Sequence, residues 1–322
     1  IAGVIGSIFA IIGGSQKNIV LMLMGTFLVG AASAAGYQAR FAAVDLATNE
    51  TRAKQLSFVV WGSTVGAVTG PNLMEPAGNL ADQLGLPRLT GPYVVSAVTL
   101  SLAIIVIQLF LRPDPFLTAA QQVGNISQPK RATREALTHI RSNPQALFAI
   151  LSIAIGHIAM VSIMVMTPVH MSHVHVSLKI IGLVISVHVL GMYAFAPLIG
   201  TLSDRLGRVT VIQIGFLILL AAAIISGLSP AMSTIPLGLG LFLLGLGWSC
   251  TLIAGSTYLS ESVATEMKPA SQGASDLVMN LMGALGGALS GVIIGIFSYG
   301  LLCAIVGMCV VFITLWSLKI KN

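Results

Sequence analysis

Gly200-Thr201-Leu202-Ser203-Asp204-Arg205-Leu206-Gly207-Arg208 lies between two long apolar runs, 180–199 and 209–228. So few residues between two runs of bilayer-spanning length make the runs antiparallel neighbours and put the charged stretch at a membrane face. Gly200 and Gly207 let the backbone turn where a Cβ would clash. Arg205 and Arg208 mark the face as the cytoplasmic one, because loops on that side carry the excess of lysine and arginine. Asp204 is placed to accept hydrogen bonds from a helix N-terminus or from an arginine.

The rest of the chain agrees with a lipid setting. Hydrophobic residues make up 56% and charged residues 8% of the chain, against about 25% charged in soluble domains. Mean hydropathy is +0.94. Repeated apolar runs of about 20 residues make the spans helices, so the fold class is all-α and polytopic. Cys250, Cys303 and Cys309 fall inside apolar runs, so neither a disulfide nor a metal site is read in them. The net charge of +6 sits mostly in loops beside the membrane and carries no nucleic-acid signal. No nucleophile with a base, no phosphate-cradling loop and no paired catalytic carboxylates occur, so neither an enzyme nor a bound cofactor is expected.

Ten spans are expected, at 1–13, 18–39, 55–75, 91–111, 145–169, 178–199, 209–229, 235–258, 272–295 and 300–318. The first is short: 13 residues reach about 20 Å, against a hydrocarbon core of about 30 Å. It reads as the remainder of a helix that begins upstream. With Asp204 inside, 13 of the 16 lysines and arginines fall on inside loops, and only Lys17, Arg88 and Lys179 fall outside. That bias places the C-terminus in the cytoplasm of a cell-membrane protein.

Residues 112–143 are different in kind. Pro113, Pro115, Pro129 and the run from Lys130 to Glu135 make a polar linker, with an amphipathic helix expected over 132–140. It divides a bundle at 1–111 from one at 144–322; a long loop without architectural meaning is the competing reading. Internal repetition favours the division. An ungapped shift of 217 residues pairs Gly30 with Gly247, Thr48 with Thr265, Gln55 with Gln272, Gly66 with Gly283 and Gly70 with Gly287. Clustering at one offset is what two parallel halves produce.

The pattern G-x-L-x-D-R-x-G-R at 200–208 resembles the signature loop of the major facilitator superfamily, and the resemblance covers essentially the whole chain. In that family the loop joins helices two and three and recurs between helices eight and nine. The resemblance therefore implies a two-bundle fold holding family helices three to twelve, with roughly 70 residues and the first copy of the loop lying upstream. It also implies alternating access about a midplane site, in a monomer resembling a bacterial drug or metabolite permease. Gly200, Asp204, Arg205, Gly207 and Arg208 become a gating loop whose aspartate docks near Lys54 to Ser57. The stripe Gly62, Gly66, Gly70 with Pro71 partly resembles the antiporter motif G-x-x-x-G-P-x-x-G-G, although Met74 and Glu75 replace the last glycines. Gly283, Gly287 and Gly291 repeat the stripe. Symmetric stripes suit two gating helices at the interface between halves, and plain helix packing explains the span-three stripe equally well. Proton-coupled relatives carry R-x-x-x-G in span two, where this chain has Thr26 before Gly30.

Ionisable groups at membrane depth are costly and so mark candidate sites. His157 and His188 are mid-span and Asp276 lies near the start of span nine. Glu75 lies at an outer end, and Asp45 at an inner end where Arg40 is its nearest partner. A histidine changes charge near neutral pH and can carry a proton or hold substrate. The competing reading is a neutral imidazole bonded between helices, or, for Asp276, a carboxylate at a helix N-terminus. Asn72, Met192, Tyr193, Trp248 and Asn280 are further cavity candidates, and Met160, Met164, Met166 and Met171 could line a soft pocket or simply pack. His170, His173 and His175 have a ligand-like spacing but no acid or cysteine nearby, so no metal is assigned. The expected partners are a small organic solute, protons or another coupling ion, and lipid. Export in exchange for protons is the leading expectation. Uptake by symport or uniport, or a sensor that no longer transports, are the alternatives.

Overall fold

The computed structural model describes residues 1–123, 138, 140–172, 174 and 176–320, all of them in helices, turns or irregular segments. The helices are α1 (Ala2–Ser15), α2 (Ile19–Ala42), α3 (Arg52–Asn72), α4 (Met74–Gln83), α5 (Gly91–Phe110) and α6 (Pro115–Val123). They continue with α7 (Pro144–Ser172), α8 (Leu178–Tyr193), α9 (Ala196–Leu206), α10 (Arg208–Leu228), α11 (Thr234–Ser262), α12 (Lys268–Ile296) and α13 (Tyr299–Ser317). Among the described residues, eight helical stretches are long and apolar enough to cross a membrane. Two of the ten expected spans fall short of that test. α1 has 14 residues, about 21 Å, and α3 opens on the polar turn Arg52, Lys54 and Gln55.

The contacts divide the chain into two compact units, residues 1–46 with 65–123, and 47–64 with 124–322. In the first, α1 packs on α2 and α5, and α4 packs on α5. α1 and α2 cross where Gly6 faces Gly25: a Cβ on Gly25 would lie 2.6 Å from the Gly6 carbonyl oxygen. Glycine at both positions brings the two backbones together. In the second unit, α10 packs on α11 and α13, α8 on α11, and α12 on α7. α11 is the hub, with 72% of its apolar window buried against none in the stretch around α5.

The order of packing repeats. α1 sits between α2 and α5 as α10 sits between α11 and α13. α3 starts at Arg52 and α12 at Lys268, an offset of 216 residues where the sequence shift is 217. Each is preceded by an Ala-Thr pair, Ala47-Thr48 and Ala264-Thr265. The shared packing order around α1 and α10 and the shared start of α3 and α12 match the offset of the ungapped sequence repeat.

Local boundaries differ from the expected ones for identifiable reasons. The 200–208 stretch is helical to Leu206, with Gly207 alone separating α9 from α10. The run expected as one span over 178–199 is two helices, α8 ending at Tyr193 and α9 starting at Ala196. Pro197 is the cause, because its ring collides with the carbonyl four residues back, at Tyr193, and it has no N–H to give. Span three ends at Asn72, and Glu75 belongs to the exposed first turn of α4. Pro115–Val123 forms a helix that the linker composition did not suggest. Asp114 begins it by accepting the N–H groups of Phe116 and Leu117 at 2.9 and 3.2 Å. The amphipathic helix expected over 132–140 falls mostly outside the described residues.

Candidate functional site

Two constellations stand out, both inside the second unit. The first is built on the charged stretch. Gly200 sits where α9 crosses the start of α3, and a Cβ there would fall 2.6 Å from the Ala53 carbonyl oxygen and 2.7 Å from the Ser57 Cβ. That close crossing carries Asp204 to the α3 N-terminus. One carboxylate oxygen accepts the Ala53 N–H at 3.1 Å, and the other accepts the Lys54 N–H at 2.9 Å. These are first-turn amides without helical partners, at the positive end of the helix dipole. A two-oxygen acceptor on two adjacent donors is a strong, charge-assisted contact.

Arg208 locks the acceptor in place. Its Nη1 donates to Asp204 at 2.6 Å and to the Ser203 carbonyl at 2.8 Å, and Nη2 donates to the Asn49 carbonyl at 2.6 Å. Nε and Nη2 also meet the Glu261 carboxylate at 3.2 and 2.9 Å, and Arg52 reaches the same carboxylate at 3.5 Å. The guanidinium fork can serve several acceptors at once, which an ammonium cannot do with this geometry. Arg205, one residue after the aspartate, is exposed. A cavity of about 490 Å³ opens beside the network, lined by Arg52, Asp204, Arg208, Glu261 and Lys268. Glu261 and Arg52 were not singled out from the sequence. Glu261 lies just past an expected span end, but with only ten acids in the chain each one is a candidate partner for an arginine on the same face.

Gly207 joins the two helices at φ 91°, ψ 154°, a region that residues with a Cβ scarcely enter. Gly207→Ala is expected to cost about 1–3 kcal/mol of backbone strain. A lower midpoint in a detergent melting curve checks this, and an unchanged midpoint counts against the geometry.

The second constellation lies midway along helices long and apolar enough to span a membrane. His157 on α7 and Trp248 on α11 are buried, and the indole Nε1–H donates to His157 Nδ1 at 3.1 Å. Tyr193, the last residue of α8, meets Trp248 edge-on at 5.8 Å. The other side of the imidazole lies against α12, where a Cβ on Gly283 would fall 2.7 Å from Cδ2. Asp276 and Asn280 lie on the same α12 stripe as Gly283, and the Asn280 amide donates to the Asp276 carbonyl at 2.8 Å. α12 begins at Lys268, so Asp276 is two turns in, beyond the turn over which the helix dipole acts. Met192 is buried where α8 meets Gly245 of α11.

Other candidates lie apart from this cluster. His188 is fully buried and bonds through Nδ1 to the Leu241 carbonyl at 2.7 Å, tying α8 to α11. His170 stacks on Tyr299 at 4.4 Å, and Tyr299 shares a hydrogen bond with Thr167 at 2.7 Å. His173 and His175 are outside the described residues. Met160, Met166 and Met171 are buried packing residues. Among the described residues, no atom lies within 4 Å of a Cβ built on Gly62, Gly66, Gly70 or Gly291, whereas Gly287 meets Val161 at 3.5 Å. The side chains of Pro71 and Asn72 are outside those described.

The model of the Major Facilitator Superfamily matches residues 1–286 and 159–322. Two Bacillus subtilis (strain 168) proteins described as uncharacterized MFS-type transporters are similar over 98% of this chain and 74% of their own length. YddS is 34% identical over 325 residues and YdeG 35% over 319. The riboflavin transporter RfnT of Brucella anthropi is 25% identical over 283 residues, covering 87% of this chain and 67% of that protein. Among solved structures, the E. coli fucose:proton symporter FucP superimposes with a TM-score of 0.69 at 15% identity, covering 100% of this chain and 82% of that one. An outward-facing bacterial homologue of the iron transporter ferroportin gives 0.65 at 16%, covering 98% and 81%. With its membrane-spanning helices and repeated packing, the chain belongs to the Major Facilitator Superfamily of membrane transporters.

Proposed function

We propose that this transporter exports a small amphipathic organic solute in exchange for protons by alternating access. Residues 1–111 and 144–322 act as the two halves and 112–143 as their cytoplasmic linker. The observation that carries the reading is the Asp204 carboxylate on the first amides of α3. It joins separate helices at a membrane face through contacts that water can replace when the helices part, as a reversible gate requires. With Asp204 inside, the C-terminus is cytoplasmic, in the cell membrane of a monomer. The solute would be held by groups such as Trp248, Tyr193 and Met192, whose faces suit an apolar or cationic molecule. A buried histidine supplies a group able to carry a proton.

Uptake of a planar aromatic solute is the second reading, supported by the similarity to a riboflavin transporter and by the Trp248–Tyr193 pair. Both readings are tested by reconstituting the protein in liposomes with an imposed pH gradient and a solute library. Export predicts solute movement against the proton flow and its collapse on adding a protonophore. Movement of solute and protons in the same direction favours uptake, and indifference to the gradient rejects proton coupling.

A further inference from the structure

We infer that His157 Nδ1 is the atom that takes up the coupling proton, with Trp248 as the group that senses it; this rests on the proton-coupled reading above. The indole Nε1–H is a donor only, so the 3.1 Å bond requires a lone pair on His157 Nδ1. The imidazole is therefore neutral and carries its hydrogen on Nε2. Binding a proton at Nδ1 turns that atom into a donor. Two donors then face each other, and the bond to Trp248 breaks. A closed pair and a protonated His157 exclude one another.

The surroundings turn this exclusion into a mechanical link. The pair bridges α7 and α11, and Gly283 of α12 closes the far edge of the ring, where a Cβ would lie 2.8 Å from Nε2. The imidazole has no room to swing toward α12. Relief of the donor–donor clash must come from a movement of Trp248 or of α11 relative to α7. Tyr193 of α8 rests on the same indole, so the movement reaches a third helix.

Among the described residues, the elements packed against α7 bring the following ionisable groups, besides Cys309 of α13, which faces Ile155 and Ile158. α12 brings Asp276, on the His157 stripe, and α8 brings Tyr193 through the indole and His188, which bonds the Leu241 carbonyl of α11 two turns before Trp248. α13 brings Tyr299 at the level of Thr167, ten residues along α7 from His157, or about 15 Å. α11 brings Cys250, packed on Gly215 of α10, and Tyr258 and Glu261, at least ten residues beyond Trp248. α10 brings Arg208, held by Glu261 and Asp204.

The sign follows. An Nδ1 that accepts the indole N–H cannot also hold a proton, so the closed pair is the deprotonated one. The closed arrangement is therefore the one favoured at high pH and the open one at low pH. By linkage, whatever opens the pair raises proton affinity, and whatever closes it expels the proton.

The test uses Trp61→Phe with Trp316→Phe, which leaves Trp248 as the only tryptophan of three. Its emission is titrated in proteoliposomes. A single-site transition as pH falls is expected, and His157→Gln, which keeps a polar acceptor but cannot titrate, should abolish it. Gly283→Ala, which presses on the opposite edge of the ring, should shift the midpoint and gives a readout should the glutamine variant fail to fold. A flat titration in the parent, or a transition that survives His157→Gln, overturns the inference. Should transport still follow the pH gradient while the emission stays flat, the proton-coupled reading stands and His157 is excluded. Should the emission titrate while transport ignores the gradient, His157 titrates but is not the coupling site, which also overturns the inference.

Discussion

Asp204→Asn is expected to release α3 from α9 and to expose the crossing to water. The carboxylate accepts two main-chain N–H groups and one guanidinium N–H. An asparagine can offer one oxygen, and its amide turns a donor toward donors. Hydrogen bonds to charged groups contribute about 1.5–3 kcal/mol, so the open population should rise about tenfold or more. Ser57 reports it well, being fully buried under Gly200. A cysteine placed at Ser57 should react with a membrane-impermeant maleimide about ten times faster in the Asp204→Asn background, and equal rates would reject a latch role for Asp204. The native thiols interfere little, since Cys250 and Cys303 are buried and exposed Cys309 lies within α13.

Arg208→Ala should have the largest effect on stability. The side chain is about 10% exposed and holds two carboxylates and two carbonyls together. Its removal leaves the buried Asp204 and the partly exposed Glu261 without their shared cation, although Arg52 still reaches Glu261 at 3.5 Å. Breaking such a pair costs about 3–5 kcal/mol, and the 24% exposure of Glu261 puts the expectation at the lower end. The measurable outcome is a large fall in the detergent melting midpoint. Adding Glu261→Gln should recover part of it by removing one of the stranded charges. Arg208→Lys should fall between, because an ammonium keeps the charge but not the fork. A melting midpoint within error of the parent for Arg208→Ala would show that the network contributes nothing.

The two results would separate gate from scaffold. On the proposed latch reading, Asp204 is the contact that changes between states, and Arg208 with Glu261 is the frame that presents it. Asp204→Asn should therefore alter accessibility more than melting, and Arg208→Ala should do the reverse.

The amino-acid sequence by itself determined that the chain is helical and lives in lipid, because apolar runs of bilayer length leave no other way to satisfy the backbone. It also determined the charged stretch at 200–208 and the repeat at one offset, since both are local patterns of residue type and spacing. The interruption between α8 and α9 at Pro197 was missed because the run stays apolar across it, and the separate helix from Met74 was missed because apolar character continues past Asn72. Only the tertiary structure decided which partners these residues meet. Glu261 joins Arg208 across 53 residues of sequence, and Trp248 joins His157 across 91. In near-uniformly apolar helices, hydrophobic periodicity does not reveal which face turns inward. Close helix contact therefore chose the pairs, through small residues such as Gly200 and Gly283 that let one helix lie against another.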